Sequence, residues 1–378
     1  MSKFCLKLQG IIIFVSIIFS TSYADLFSTC RFHFGTDNSK ATGTVMNEVD
    51  YLTSWAGSTE EYNMDSFFKN CKNNNKTPVI VSYIIAFTAR RDKGLQDCNV
   101  GTPDLCHEGA NYIRQNRARI LSQYVKYAKG AAGSFGTSSS MVWCMEPDYT
   151  QYADSTTQTG KGLSWTECGA LINEIVDTIR KYSPKSVFSM DISPWKITTW
   201  QMGWFSNFKM SNFTFMNTSG GQSRADQTFI SDSWSKDCPT WAWVYQTYGT
   251  PVLADADYGT AGGSTGYDTR WDNVANLTAR IKDGVIGVSH YNPSAATYAA
   301  TIQSIRSQIP TPPKCPSVSA VIEPKFFKST TNTASDKCIS ESVEIIDARG
   351  RIAASKNTRK AYILFNDLLH KKIIKMGN

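Results

Sequence analysis

Ser140-Met141-Val142-Trp143-Cys144-Met145-Glu146-Pro147-Asp148-Tyr149 opens as an apolar run and closes on two carboxylates that flank a proline. A short run without polar alternation is the pattern of a strand buried on both faces, as in a parallel sheet. Pro147 has no N–H for a sheet ladder, so the strand must end there. In α/β folds the carboxyl ends of strands are where ligands bind and catalytic groups gather. Glu146, Asp148, Tyr149 and Gln151 at such an edge point to acid/base chemistry on a polar, uncharged substrate. The alternative is structural: acids that finish a strand by binding nearby backbone N–H groups.

Upstream, residues 30–35 read as a first short strand, and residues 46–55 and 64–70 have helical spacing. Residues 78–87 are β-branched, opened by a proline, and read as a second strand. A polar loop with Arg90, Arg91, Asp92 and Asp97 follows, then a helix over about residues 110–128 and a flexible connection over 130–140. Downstream, Ser164 and Glu167 form a capping box ahead of a helix whose apolar face is Leu171, Ile172, Ile175, Val176 and Ile179. Strands at 186–191, 213–217, 251–255 and 285–290 alternate with helices near 233–248 and 273–282. About seven strands alternating with helices imply a parallel sheet with right-handed crossovers. No G-x-G-x-x-G or phosphate-binding loop follows a strand, which disfavours a doubly wound nucleotide fold. The expectation is a (β/α) TIM-like barrel, with a small β-rich segment at the carboxyl end.

The amino terminus has the form of an export signal. Lys3 and Lys7 precede an apolar core at residues 11–19, and Thr21-Ser22-Tyr23-Ala24 supplies small residues for cleavage after Ala24. That core is shorter than the ~18 residues a membrane span needs. Residues 1–24 are therefore expected to be a signal peptide, and the protein to be secreted, extracellular or at the cell surface. Residues 25–308 form the barrel, 309–316 a proline-rich linker, and 317–378 a small basic segment. The formal charge of +7 comes from Lys3, Lys7 and that tail, so the barrel is near neutral and has no electrostatic case for nucleic acid. Of ten cysteines, Cys5 falls in the signal. Among the rest, Cys98 and Cys106 bracket a short loop and are expected to pair, while Cys144 in the buried strand is expected to be free. No spacing resembles a metal site, and no cofactor is implied.

Asp148, Glu146, Asp92, Asp191 and Asp255 are the candidate catalytic acids, all expected at strand ends. Cleavage of a glycosidic bond needs such a group: one acid protonates the leaving oxygen while another carboxylate activates water or attacks carbon. Tyr149, Trp195, Trp204, Asn217, Asp257 and His290 are the candidate substrate-binding residues. Trp195 and Trp204 lie in a polar stretch after a strand end, where an indole face can stack on a sugar ring. The remaining tryptophans are expected in the core.

Glu146-Pro147-Asp148 after an apolar strand resembles the Glu-Pro-Asp motif of glycoside hydrolase family 6, the inverting cellulases. The resemblance implies that Asp148 is the proton donor. Ser189-Met190-Asp191-Ile192-Ser193-Pro194-Trp195 is similar to that family's strand ending in Asp with a tryptophan after it. The segment at 213–219 is similar to its strand entering an Asn-containing substrate loop. On this basis the expected function is hydrolysis of a β-linked glucan such as cellulose, by inversion. Two alternatives stay open: a retaining barrel glycosidase with Glu146 as acid/base and an Asp such as Asp255 as nucleophile, or a secreted carbohydrate-binding protein without catalysis. The tail, with Asp347-Ala348-Arg349-Gly350-Arg351, a later Tyr-Ile-Leu strand and Lys371-Lys372-Ile373-Ile374-Lys375, resembles the sorting domains of type IX secretion cargo, which implies bacterial secretion machinery as a partner.

Overall fold

A computed structural model describes residues 31–98, 100–153, 157–194, 196–218, 223–230, 237–256, 267–293 and 295–312, and the backbone strands Tyr362–Asn366 and Lys371–Lys375. The expected signal peptide and most of the tail, including the turn at 347–351, lie outside these residues. The chain divides into two compact units, Met1–Lys325 and Phe326–Asn378.

Eight parallel strands close the first unit into a barrel in chain order. They are β1 (His33–Asp37), β2 (Tyr51–Ala56), β3 (Thr77–Ser82), β4 (Val142–Met145), β5 (Val187–Asp191), β6 (Phe213–Asn217), β7 (Val252–Asp255) and β8 (Val285–His290). Register runs from Gly35 opposite Tyr51 round to Gly35 opposite Ser289, which closes the ring. The helices are α1 (Gly43–Glu48), α2 (Asp65–Asn73), α3 (Ile84–Lys93), α4 (Leu105–Phe135), α5 (Trp165–Tyr182), α6 (Thr198–Phe205), α7 (Trp241–Tyr248), α8 (Val274–Lys282) and α9 (Ala295–Arg306). In the second unit, β9 (Tyr362–Asn366) and β10 (Lys371–Lys375) pair antiparallel.

Two apolar clusters follow from the period-two alternation of side chains on each strand. Tyr51, Val79, Val142, Cys144, Val187, Phe215, Leu253 and Ile286 fill the barrel interior. Their strand neighbours, among them Leu52, Ile80, Trp143, Phe188, Met216 and Ala254, pack outward against the helices. β1 contributes Gly35 to the inner layer for a steric reason: a Cβ there would lie 2.1 Å from the Tyr51 ring. On the same alternation Trp55, Asp191, Asn217 and Asp255 share the inward face at the carboxyl ends of their strands.

Three expectations are corrected. The barrel has eight strands rather than about seven, because residues 46–55, read as one helix, divide into α1 and β2. The strand expected over 78–87 stops at Ser82, and from Ile84 the chain is helical. The connection expected over 130–140 is mostly helix, since α4 runs on to Phe135. The Ser164–Glu167 capping box forms in both directions, and Cys98 is bonded to Cys106 while Cys144 is a free, buried thiol.

At the amino ends of the strands, Asp50 ties the barrel's closing seam. Its carboxylate accepts the Phe34 N–H at 2.9 Å and meets Arg306 of α9 at 3.0 Å, Arg31, and His33 Nδ1 at 3.6 Å. Burial alone would raise its pKa, but the His33 hydrogen bond and the Arg306 charge outweigh it and hold the carboxyl well below the usual range. A depressed carboxylate stabilises the fold above its unfolded pKa of ~3.9 and loses that contribution as pH falls toward the folded value. Asp50→Asn is expected to cost about 1–3 kcal/mol at neutral pH, and the cost should shrink in acid. Urea midpoints of the two proteins across pH would show this; equal midpoints at pH 7 would count against the seam.

Candidate active site

β4 ends in a strained turn. Glu146 has φ 37° and Asp148 φ 58°, left-handed values that favour glycine, on either side of Pro147. Each costs roughly 1–3 kcal/mol and persists only where the surroundings hold it. For Glu146 the holding contacts are evident. Its N–H donates to Ser82 O at 2.8 Å. Its buried carboxyl oxygen accepts the Ile85 N–H at 2.9 Å and the Tyr124 hydroxyl. Helix α3 has no side-chain cap of its own at Tyr83, so Glu146 supplies from β4 the acceptor that its first turn lacks. Burial dominates the electrostatics and pushes the Glu146 carboxyl up to about 8, against the pull of Tyr124 and the backbone donors.

Asp148 differs from its neighbour. It is partly buried, its carboxyl accepts no hydrogen bond among the described residues, and burial alone pushes it up to about 6. Burial first, and the charge of Asp148 in addition, raises the hydroxyls of Tyr83 and Tyr152. Its N–H points to Asp191 Oδ2 at 3.4 Å. An acid with a raised pKa and no committed partner is suited to donating a proton.

The next strand ends supply a fixed polar row. Asp191 of β5 also accepts Asn217 Nδ2 of β6 at 3.1 Å, and Asn217 Oδ1 accepts the Ser189 hydroxyl at 2.7 Å. The Asp255 N–H of β7 donates to Thr218 Oγ1 at 3.2 Å. The Cys144 thiol lies below: burial pushes it up to about 12, and the charges of Asp255 and Asp191 both add to the rise. Asp148, Asp191, Asn217 and Asp255 thus occupy the ends of consecutive strands β4 to β7.

Other expected site residues sit elsewhere. Asp92 is near the end of α3, not at a strand end, because that segment is helix. It accepts the Tyr112 hydroxyl at 2.7 Å and pairs with Arg119 at 3.3 Å. Tyr149 is core: its hydroxyl donates to Cys168 O at 3.2 Å and its ring packs on Tyr152 and Trp204. Trp204, expected to bind sugar, is fully buried on α6 and stacked against Trp200. His290 is buried between the rings of Tyr267 and Tyr298, where desolvation lowers it to about 4 and keeps it neutral. Trp195 and Asp257 lie outside the described residues. Two residues that sequence reading passed over stand at the mouth: Trp55 is the last residue but one of β2, and Tyr83 follows β3. The alternation within β2 could have identified Trp55 had that stretch been read as a strand.

No protein-family model matches the chain, and none of the curated proteins does. Among solved structures, the modular endo-β-1,4-mannanase of Cellulomonas fimi, a glycoside hydrolase family 26 enzyme, superposes with TM-score 0.52 at 11% identity, covering 80% of each chain. A double mutant of the Cellulomonas fimi endo-β-1,4-mannanase gives TM-score 0.51 at 10% identity, over 75% of this chain and 73% of that one. The likeness is one of fold. It is an eight-stranded (β/α) barrel, and neither neighbour is a family 6 cellulase, so the expected kinship with family 6 in particular is not supported.

Proposed function

We propose that the barrel is a glycoside hydrolase that cleaves a β-1,4-linked glycan, a glucan or a mannan, by acid/base catalysis at the carboxyl ends of β4 to β7. The observation that carries this reading is Asp148, a carboxyl raised by burial, without a hydrogen bond to it among the described residues, and held on a strained turn beside Asp191. Protonated Asp148 would donate to the glycosidic oxygen. Asp191 or Asp255 would activate water from the opposite side, which is the inverting arrangement. The engagement of Glu146 by Ile85 and Tyr124 favours Asp148 over Glu146 as the acid. The barrel likeness to the Cellulomonas fimi β-1,4-mannanase structures adds mannan to the glucan expected from sequence. Incubating the purified protein with β-glucans, mannan and xylan, and following product anomers by NMR, tests the proposal. Hydrolysis with inverted anomers is the expected result. Retained configuration would transfer the role to Glu146 and Asp255, and no hydrolysis on any of them would leave a binding protein.

The protein is further proposed to be exported, with residues 317–378 acting as a secretion address. Deleting them should trap the barrel in the cell envelope while its melting temperature stays unchanged. Normal export of the truncated protein would reject the address.

A further inference from the structure

Four of the described tryptophans, Trp143, Trp204, Trp241 and Trp271, are fully buried, and Trp165, Trp200 and Trp243 sit on outer helices. Trp55 alone among the described tryptophans lies on the inward face of a barrel strand. Tyr51, two turns of the alternation below it, is inside the barrel, whereas Leu52 and Ala56 belong to the outer core. Trp55 is only partly buried, at the carboxyl end of β2.

Tyr83 and Phe87 meet Trp55 edge-to-face, with centroids at 5.7 and 6.3 Å. The Arg90 guanidinium lies over the Tyr83 and Phe87 rings at 5.7 and 5.4 Å. This wall is braced from outside. Arg90 pairs with Asp97, Asp97 accepts the Tyr83 hydroxyl at 3.3 Å, and the Cys98–Cys106 disulfide fastens the loop that carries Asp97. Tyr83 directly follows β3, which pairs with β4 with Ser82 opposite Met145, so the wall adjoins the strand end that carries Asp148. The mouth is therefore divided: acids and Asn217 at the ends of β4 to β7, aromatic rings on β2, just after β3 and on α3, with Asp148 at the boundary.

We infer that Trp55, held by Tyr83 and Phe87, is the stacking platform of a sugar subsite next to Asp148, and that it takes one pyranose ring of a β-linked glycan. The inference rests on the proposed glycosidase reading and specifies where that substrate is gripped. The equatorial linkages of such chains leave flat C–H faces on each ring, which suit an indole, and a pre-braced wall adds binding without an ordering cost. As a positioning residue, Trp55 should act on KM and binding more than on proton transfer.

The test uses the full-length protein carrying Asp148→Asn, which binds without turning over, titrated calorimetrically with short cello- and manno-oligosaccharides. Adding Trp55→Ala should weaken binding about 10-fold, and Trp55→Phe, the variant less disturbing to the fold, about 3-fold. In the otherwise wild-type enzyme Trp55→Phe should raise KM with little change in kcat. Without any substitution at Trp55, its indole N–H resonance, assigned by its loss in Trp55→Phe, should shift as oligosaccharide is added. Unchanged affinity in both variants together with an unmoved indole signal overturns the subsite while leaving hydrolysis standing. Trp55-dependent binding by a protein that hydrolyses nothing would instead retain the subsite and remove the enzyme. Absence of any binding overturns the subsite.

Discussion

Asp148→Asn should lower kcat by ~10²–10⁴-fold while leaving oligosaccharide binding nearly intact. Asparagine keeps the shape of the side chain but has no proton to transfer, so only acid catalysis is lost. The wild-type pH profile should carry the same signature. A general acid works only while protonated, so the rate should fall as pH rises through about 6, the value to which burial pushes this carboxyl. The alkaline limb should disappear from whatever activity the variant retains. The substitution should also stabilise the protein. A carboxyl raised on folding binds more protons native than unfolded, so it weakens the fold at pH values above its unfolded pKa. Removing it should recover about 1–3 kcal/mol at pH 7. A dead but more stable protein is the expected outcome of calorimetry and kinetics run together. Full activity in Asp148→Asn would remove the proposed mechanism.

Glu146→Ala should act through structure and cost about 3–5 kcal/mol. The loss combines an N-terminal cap for α3 with desolvated partners left behind at Ile85 N and Tyr124 Oη. Glu146→Gln should be much milder, because an amide oxygen can still accept both hydrogen bonds. Linkage separates the two roles further. With its carboxyl raised to about 8, Glu146 makes the wild-type protein less stable as pH climbs from roughly 4.5 toward 8, opposite in sign to Asp50. The Gln variant should lose that slope. Denaturant midpoints at several pH values would reveal it, and identical slopes in both proteins would mean that Glu146 is ionised or solvated. Since α3 carries Phe87 and Arg90, the Ala variant should also weaken sugar binding.

The strands β4 to β8 were legible because each is a compact apolar run ended by a polar residue, a pattern set by local sequence. β2 was not. Its upper half, Thr53-Ser54-Trp55, rises to the wet mouth of the barrel, so only Tyr51 and Leu52 announce a buried strand. Helix α3 was hidden for a different reason. Ile84-Ile85-Ala86-Phe87 continues the β-branched run of β3, and the contact that caps it as a helix is the Glu146 carboxyl, sixty-one residues away in sequence. The acids at the ends of β4, β5 and β7 could be named from sequence because strand ends could be found. What divides them by role could not. Asp148 is distinguished by the partners it lacks and Glu146 by those it has, and Trp204 was drawn into the core by Tyr149 and Trp165, both distant in sequence. Such distinctions are tertiary.

The Tyr51 ring pressed against Gly35, with Phe215 and the aliphatic residues beside it, stoppers the barrel directly beneath the acid row. Traffic is then one-sided. A polysaccharide cannot be threaded along the axis; it can only be laid across the top. In the proposed reaction, water would have to come in, and both halves of a cut chain go out, through the same opening. Turnover on long substrates should therefore be paced by the slower of two departures, and a fragment still lying on Trp55 would delay the arrival of the next chain, which shows as inhibition by product.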